Sequence, residues 1–124
     1  MSDSHEIISL EKQFWTAPAA FFEQHLAAAV LMVFPPPIGP QTRAQAIASL
    51  AAAPRWAQVD LAHRVVTELS PVACALSYHA AAKRADAAPA YTALVGSVYL
   101  REGETWKLAF HQQTPTNAPP ATVT

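Results

Sequence analysis

Residues 91–114 read YTALVGSVYLREGETWKLAFHQQT, two runs rich in β-branched and aromatic residues joined at Arg101, Glu102, Gly103 and Glu104. Glycine at position 103 provides the positive φ that a tight hairpin turn demands, and pairing Arg101 with Glu104 sets the register of everything behind the turn. On that register Tyr99 faces Trp106, Ser97 faces Leu108, Val95 faces Phe110, Ala93 faces Gln112 and Tyr91 faces Thr114. The opposite face carries Leu100, Val98, Gly96, Leu94 and Thr92 against Thr105, Lys107, Ala109, His111 and Gln113. Both faces are largely apolar, so both are expected to be withdrawn from water. The face with Trp106, Phe110 and the tyrosines is assigned to a concave interior beneath covering helices. The flatter face, with Leu94, Gly96, Val98, Ala109, His111 and Gln113, suits contact with the same sheet of a second copy across a twofold axis.

Upstream of this hairpin the period-2 pattern continues back to Pro54. It spans about Arg55–Leu69, stopped by Pro71, then Val72–Arg84, stopped by Asp86 and Pro89, then Ala90–Arg101. A last strand covers Thr105–Thr114 and ends at Pro115. Before Pro54 the period is 3.6. Ile7, Leu10 and Phe14 mark a helix from about Ser4 to Thr16, and Thr16 with Pro18 opens a second, whose apolar side includes Phe21, Phe22 and Leu26. Val30–Phe34 is a short strand stopped by Pro35, Pro36 and Pro37. Thr42 caps a third helix that runs to about Ala53. Helices first and long antiparallel strands afterwards make an α+β fold, with three N-terminal helices packed on a curved antiparallel sheet that closes into a cone. A single domain over residues 1–115 is expected, followed by a flexible tail over 116–124.

The 124 residues are 52% hydrophobic and only 14% charged, a composition able to build a core and unsuited to a disordered chain. With a net charge of −1 and a pI near 6.5, no basic surface is available to attract nucleic acid. No apolar run reaches the roughly 18 residues of a membrane span, so no membrane partner is expected. Cys74 is the lone cysteine, in an apolar run, which fits a buried thiol in a reducing cytoplasm. His25 and His63 lack a second ligand at metal spacing, and there is no glycine-rich phosphate loop, so no metal and no cofactor is assigned.

Six stretches carry a resemblance. They are Leu10-Glu11-Lys12-Gln13-Phe14-Trp15, Val33-Phe34-Pro35-Pro36-Pro37, Ala53-Pro54-Arg55-Trp56, Ser77-Tyr78-His79-Ala80, Gly96-Ser97-Val98-Tyr99, and Trp106-Lys107-Leu108 leading to Gln112-Gln113-Thr114-Pro115. Together they resemble the nuclear transport factor 2-like superfamily, of cystatin-like fold, and within it the SnoaL-like and small uncharacterised bacterial members. The resemblance covers about Glu6 to Pro115 and implies the cone and a homodimer formed through the outer sheet face. Many relatives place an acidic residue just before the first strand and a histidine six positions after the tryptophan of the last one. Ala29 and Gln112 stand there in this chain, so an acid/base mechanism using those positions is not carried over.

The functional reading that follows is a protein that binds a small apolar molecule in the cone. Trp15, Phe22, Trp56, Tyr91, Ser97 and Gln112 are the expected ligand contacts, though aromatic residues at these spacings also serve as ordinary core. The alternatives are an isomerase, dehydratase or cyclase of SnoaL-like or ketosteroid-isomerase-like type, with His79, Tyr78 and Tyr91 as candidate catalytic groups, and a dimerising association module. With a four-residue loop at 85–88, His79, Leu94 and His111 fall in a row across three strands on the outer face. Arg43 and Arg55 flank the third helix, where a guanidinium either grips a carboxylate in bidentate fashion or faces solvent.

Overall fold

The first turn of the chain commits it to a helix whose buried stripe is set by sequence spacing. In the computed structural model, which describes residues 2–85 and 91–116, helix α1 spans Ser2–Thr16. Ile7, Leu10, Glu11, Phe14 and Trp15 recur at helical intervals along it, and all five are buried. Helix α2, Ala19–His25, starts two residues later than expected because Pro18, not Thr16, sits at the N-cap; its carbonyl accepts from the Phe21 amide at 3.0 Å. Strand β1 covers Leu26–Phe34, and after the proline turn a three-residue strand β2, Gly39–Gln41, folds back on its end. The sequence analysis did not anticipate β2, whose Pro40 is tolerated because the strand lies at the edge of the sheet. Helix α3, Arg43–Ala52, is closed by a capping box in which the Gln45 amide donates to the Thr42 hydroxyl and the Thr42 amide to the Gln45 side chain.

Four long strands follow: β3 Gln58–Ser70, β4 Ala73–Lys83, β5 Tyr91–Glu102 and β6 Thr105–Pro115. They form one six-stranded sheet in the order β2-β1-β6-β5-β4-β3. The sheet is mixed, not wholly antiparallel as expected, because β1 runs parallel to β6. Parallel neighbours need a long crossover, and α3 with four intervening strands provides it. A bulge between Ala62 and Val65, where His63 adopts φ 56°, interrupts β3 and lets it bend. α1 packs on β3 and β4, α2 on β6 and α3 on β1, so the helices cover one face. Phe14, Phe22, Tyr78, Tyr99 and Leu108 are among the side chains sealed between them.

The β5–β6 hairpin departs from the expected register in two steps. Its turn is Gly103-Glu104, with Gly103 at φ 67° and Glu102 paired to Thr105, so Arg101 lies opposite Trp106 and Tyr99 opposite Leu108. These shifts keep odd β5 residues and even β6 residues on the inner face, as expected. The register then moves by one residue between Val98 and Tyr99: Val98 pairs with Phe110, Ser97 with His111 and Gly96 with Gln112. Ala109 is the extra residue. Because strand side chains alternate, this bulge exchanges the faces of everything beyond it. His111 and Gln113 turn inward, while Phe110, Gln112 and Thr114 turn outward. Thr116, expected in the tail, donates a hydrogen bond from its backbone N–H to the Thr92 carbonyl at 2.9 Å. The rest of the expected tail and of the 85–88 loop lies outside the described residues, apart from Ala85.

Candidate functional site

A buried carboxylate needs donors on every side, and α1 delivers one into a ring of them. Glu11 lies four residues after Ile7 and three before Phe14, on the apolar stripe, and is fully buried. The Tyr78 hydroxyl donates to its Oε2 at 2.5 Å, the Ser97 hydroxyl to the same oxygen at 2.7 Å, and the Tyr99 hydroxyl to Oε1 at 2.6 Å. Tyr78 in turn accepts from the Trp15 indole N–H at 2.8 Å. His111 Nδ1 stands 2.8 Å from Ser97 Oγ and 3.2 Å from Glu11 Oε2. Burial by itself raises a carboxyl pKa. Here it is outweighed by the hydrogen bond from His111, by its charge when protonated, and by Tyr78 and Tyr99, so Glu11 is held below the usual carboxylate range. Burial first, then the Glu11 charge, push both tyrosine hydroxyls well above the usual phenol range, so they remain donors.

From His111 the chain of hydrogen bonds continues outward. Gln113 Nε2 lies 3.0 Å from His111 Nε2, and the Tyr91 hydroxyl donates to Gln113 Oε1 at 2.9 Å. With the amide placed this way its nitrogen only donates, so His111 Nε2 accepts and Nδ1 carries the ring's hydrogen toward Ser97. Both imidazole nitrogens are therefore engaged within the protein.

Tyr91, Gln113 and His111 stand on one wall of a half-open cavity of about 330 Å³ between helices and sheet. Its apolar lining includes Phe14, Trp15, Phe22, Phe34 and Trp56. Trp56 stacks on Tyr91 with centroids 5.5 Å apart and 17° between planes, and Trp15 lies 6.4 Å from Trp56. Arg55 and Arg84 also line it. Arg55 ties the cavity to α1 by donating to the carbonyls of Phe14, Trp15 and Ala17 at 2.5–2.9 Å, the groups a helix end leaves unsatisfied.

Among solved structures, a protein of unknown function from Prochlorococcus marinus, described as nuclear transport factor 2-like, superposes with a TM-score of 0.77 at 18% identity. The match covers 95% of this chain and 96% of that one. A candidate ketosteroid isomerase from Parabacteroides distasonis gives 0.74 at 18% identity, over 89% and 85% of the two chains. The chain has the nuclear transport factor 2-like fold. A CamKII hub homology domain from Chlamydomonas reinhardtii shares this fold at a TM-score of 0.76 and 14% identity, over 93% and 99%. No family model and no curated protein matches the sequence.

Within this nuclear transport factor 2-like frame the expected site residues separate. Trp15, Phe22, Trp56 and Tyr91 line the cavity, and Ser97 lies behind His111, bonded to it and to Glu11. Gln112 does not reach the cavity: it is exposed on the outer face opposite Gly96, because the Ala109 bulge reverses its direction. The same reversal brings in His111 and Gln113, which the sequence analysis had placed on the outer, self-associating face. His111 is only 2% exposed. Leu94, Gly96 and Val98 do lie on that outer face, with Leu94 55% exposed. His79 pairs with Leu94 as expected, but Leu94 faces Thr114, so His111 does not join their row. The His79 ring contacts the Thr116 hydroxyl at 3.0 Å, on the side of the sheet away from the cavity. Tyr78 is buried with its hydroxyl engaged by Glu11 and Trp15. Arg43 donates to the Glu23 carbonyl. Glu11 was missed altogether. The signal for it is a lone acid on a stripe whose neighbours are Ile7, Leu10, Phe14 and Trp15, a position where a charge survives only with partners.

Proposed function

We propose that this protein binds a small, largely apolar molecule in the cavity between helices and sheet. The observation that carries the reading is a half-open hollow of about 330 Å³, walled by aromatic rings and given a few polar groups by Tyr91, Gln113 and His111. Its contacts are Trp15, Phe22, Trp56 and Tyr91, with Gln113 and His111 replacing Gln112. The test is thermal denaturation against a library of cyclic and aliphatic compounds. A binder at 100 times its Kd adds about 2.7 kcal/mol of stability, and Trp56→Ala is expected to abolish that gain. A library that leaves the wild-type transition unmoved overturns the reading.

A second reading, acid/base catalysis, is favoured by His111 facing the cavity with the Glu11 carboxylate behind it, and by a fold shared with a candidate ketosteroid isomerase. Binding ranks above it because Gln113 occupies the ring nitrogen that a substrate would have to reach. Turnover that disappears in both His111→Ala and Glu11→Gln, with ligand affinity kept, would reverse the ranking. Tyr91 remains a candidate group in that chemistry; His79 lies on the wrong side of the sheet for this cavity.

Self-association accompanies either reading. The outer face exposes Leu94, Val65 and Leu31, at 55%, 55% and 42%, and a shallow depression around Gly96 and Gln112 lies beside Leu94. A homodimer covers it, with Leu94, Gly96, Val98, Phe110 and Gln112 in contact; the fold shared with a CamKII hub homology domain is in keeping with an assembling surface. Light scattering is expected to give twice the chain mass, and Leu94→Glu to halve it. A monomeric wild type overturns this. The reading places the protein in a reducing cytoplasm. There Cys74 stays an inert thiol, because burial, and after it the charges of Asp3 and Glu68, raise its pKa.

A further inference from the structure

The charge around the cavity is one-sided. Among the described residues its lining holds two guanidiniums, Arg55 and Arg84, and no carboxylate. Glu11 lies beneath the lining, fully closed off and surrounded by its own donors. Arg84 is placed firmly: its Cζ sits 3.9 Å over the Trp56 ring, and its Nη1 donates to the Pro54 carbonyl at 2.6 Å. That leaves its Nε and Nη2 edge without a partner among the described residues. Arg55 uses Nε and Nη2 on the end of α1, which leaves its Nη1. The two cations act on each other: burial, and then the charge of Arg84, lower the pKa of Arg55. Like charges beside an apolar hollow are relieved by a counter-charge placed between them. The planar fork of a guanidinium fits the two oxygens of a carboxylate. That fork also grips phosphate, but phosphate sites add clustered backbone N–H groups in glycine-rich turns or at helix N-termini, and among the described residues none lines this wall.

Resting on the cavity reading above, we infer that the ligand is an aromatic or alicyclic carboxylate, its ring against Trp56 and Trp15 and its carboxylate turned toward Arg84 and Arg55. Arg84 is the residue to test, since Arg55 also holds the end of α1. The probes are β-naphthoate and its uncharged isostere β-naphthamide, titrated by calorimetry and by tryptophan fluorescence. The wild type is expected to prefer the carboxylate by at least about tenfold, a preference that shrinks as salt is raised. Arg84→Met keeps an apolar side chain over Trp56 and is expected to bring the preference below about twofold, because the carboxylate loses far more affinity than the amide. Equal wild-type affinity for the two probes overturns the inference and leaves the cavity reading standing, whether or not the variant folds. A preference that survives in folded Arg84→Met overturns it as well. Binding of neither probe removes the cavity reading and this inference together.

Discussion

Ser97 with His111 and Gly96 with Gln112 are neighbouring pairs on the same two strands, yet they live in different media. The first pair is sealed, 2% exposed at each residue, and joined to a buried carboxylate. The second faces outward beside an exposed leucine, with open space where a Cβ on Gly96 would be. One residue of alternation separates them, and one bulge at Ala109 decides which residues of β6 belong to which side. Chemistry-bearing side chains in this sheet are therefore located by its irregularities as much as by its pattern.

The largest expected effect comes from emptying the sealed side. Glu11→Ala leaves the hydroxyls of Tyr78, Ser97 and Tyr99 facing a void and is expected to cost about 3–5 kcal/mol in urea denaturation. Glu11 also gives that side a pH signature. Its folded-state pKa is depressed, so its contribution is fully present above its ordinary value of 4.5 and is lost as pH falls through the lower folded-state value. Wild type should lose stability below about pH 4.5, and a folded Glu11→Gln should lack that component.

A direct contrast follows one step along β6. His111→Ala removes one hydrogen-bond partner each from Ser97 and Gln113 inside the protein and is expected to cost about 1–3 kcal/mol, whereas Gln112→Ala should stay within about 0.5 kcal/mol. Equal costs would mean that the bulge does not place these residues as described. Two glycines give effects of opposite sign. Gly103→Ala forces a side chain into φ 67° and should cost about 1–2 kcal/mol, while Gly96→Ala meets no atom and should add up to about 1 kcal/mol. Both are read from denaturation midpoints.

The architecture was legible because its signals are local. Thr42 announces α3, Pro54 marks the change of period, and Gly103 marks the turn. The parallel pairing of β1 with β6 joins segments about 80 residues apart, and no local pattern encodes that partnership. The short edge strand at Pro40 contradicts the usual strand composition. At the cavity, Trp15, Trp56 and Tyr91 stand where the resemblance and the inner-face assignment put them. His111 and Gln113 were not, since Ala109 has no sequence mark as a bulge and every face assignment beyond it inverts. Glu11 was readable in principle, as an acid among apolar neighbours, but its partners Tyr78, Ser97, Tyr99 and His111 come from three strands that only the fold assembles.

The row from Tyr91 through Gln113, His111 and Ser97 to Glu11 is polar in one sense only: every hydrogen in it points inward, toward the negative charge. Seen from the mouth, Tyr91 thus shows lone pairs. A visitor with a hydroxyl or an amine at that end is greeted by an acceptor, while the arginines on the same rim offer only donors. The opening has a handedness of hydrogen bonding that orients whatever enters it.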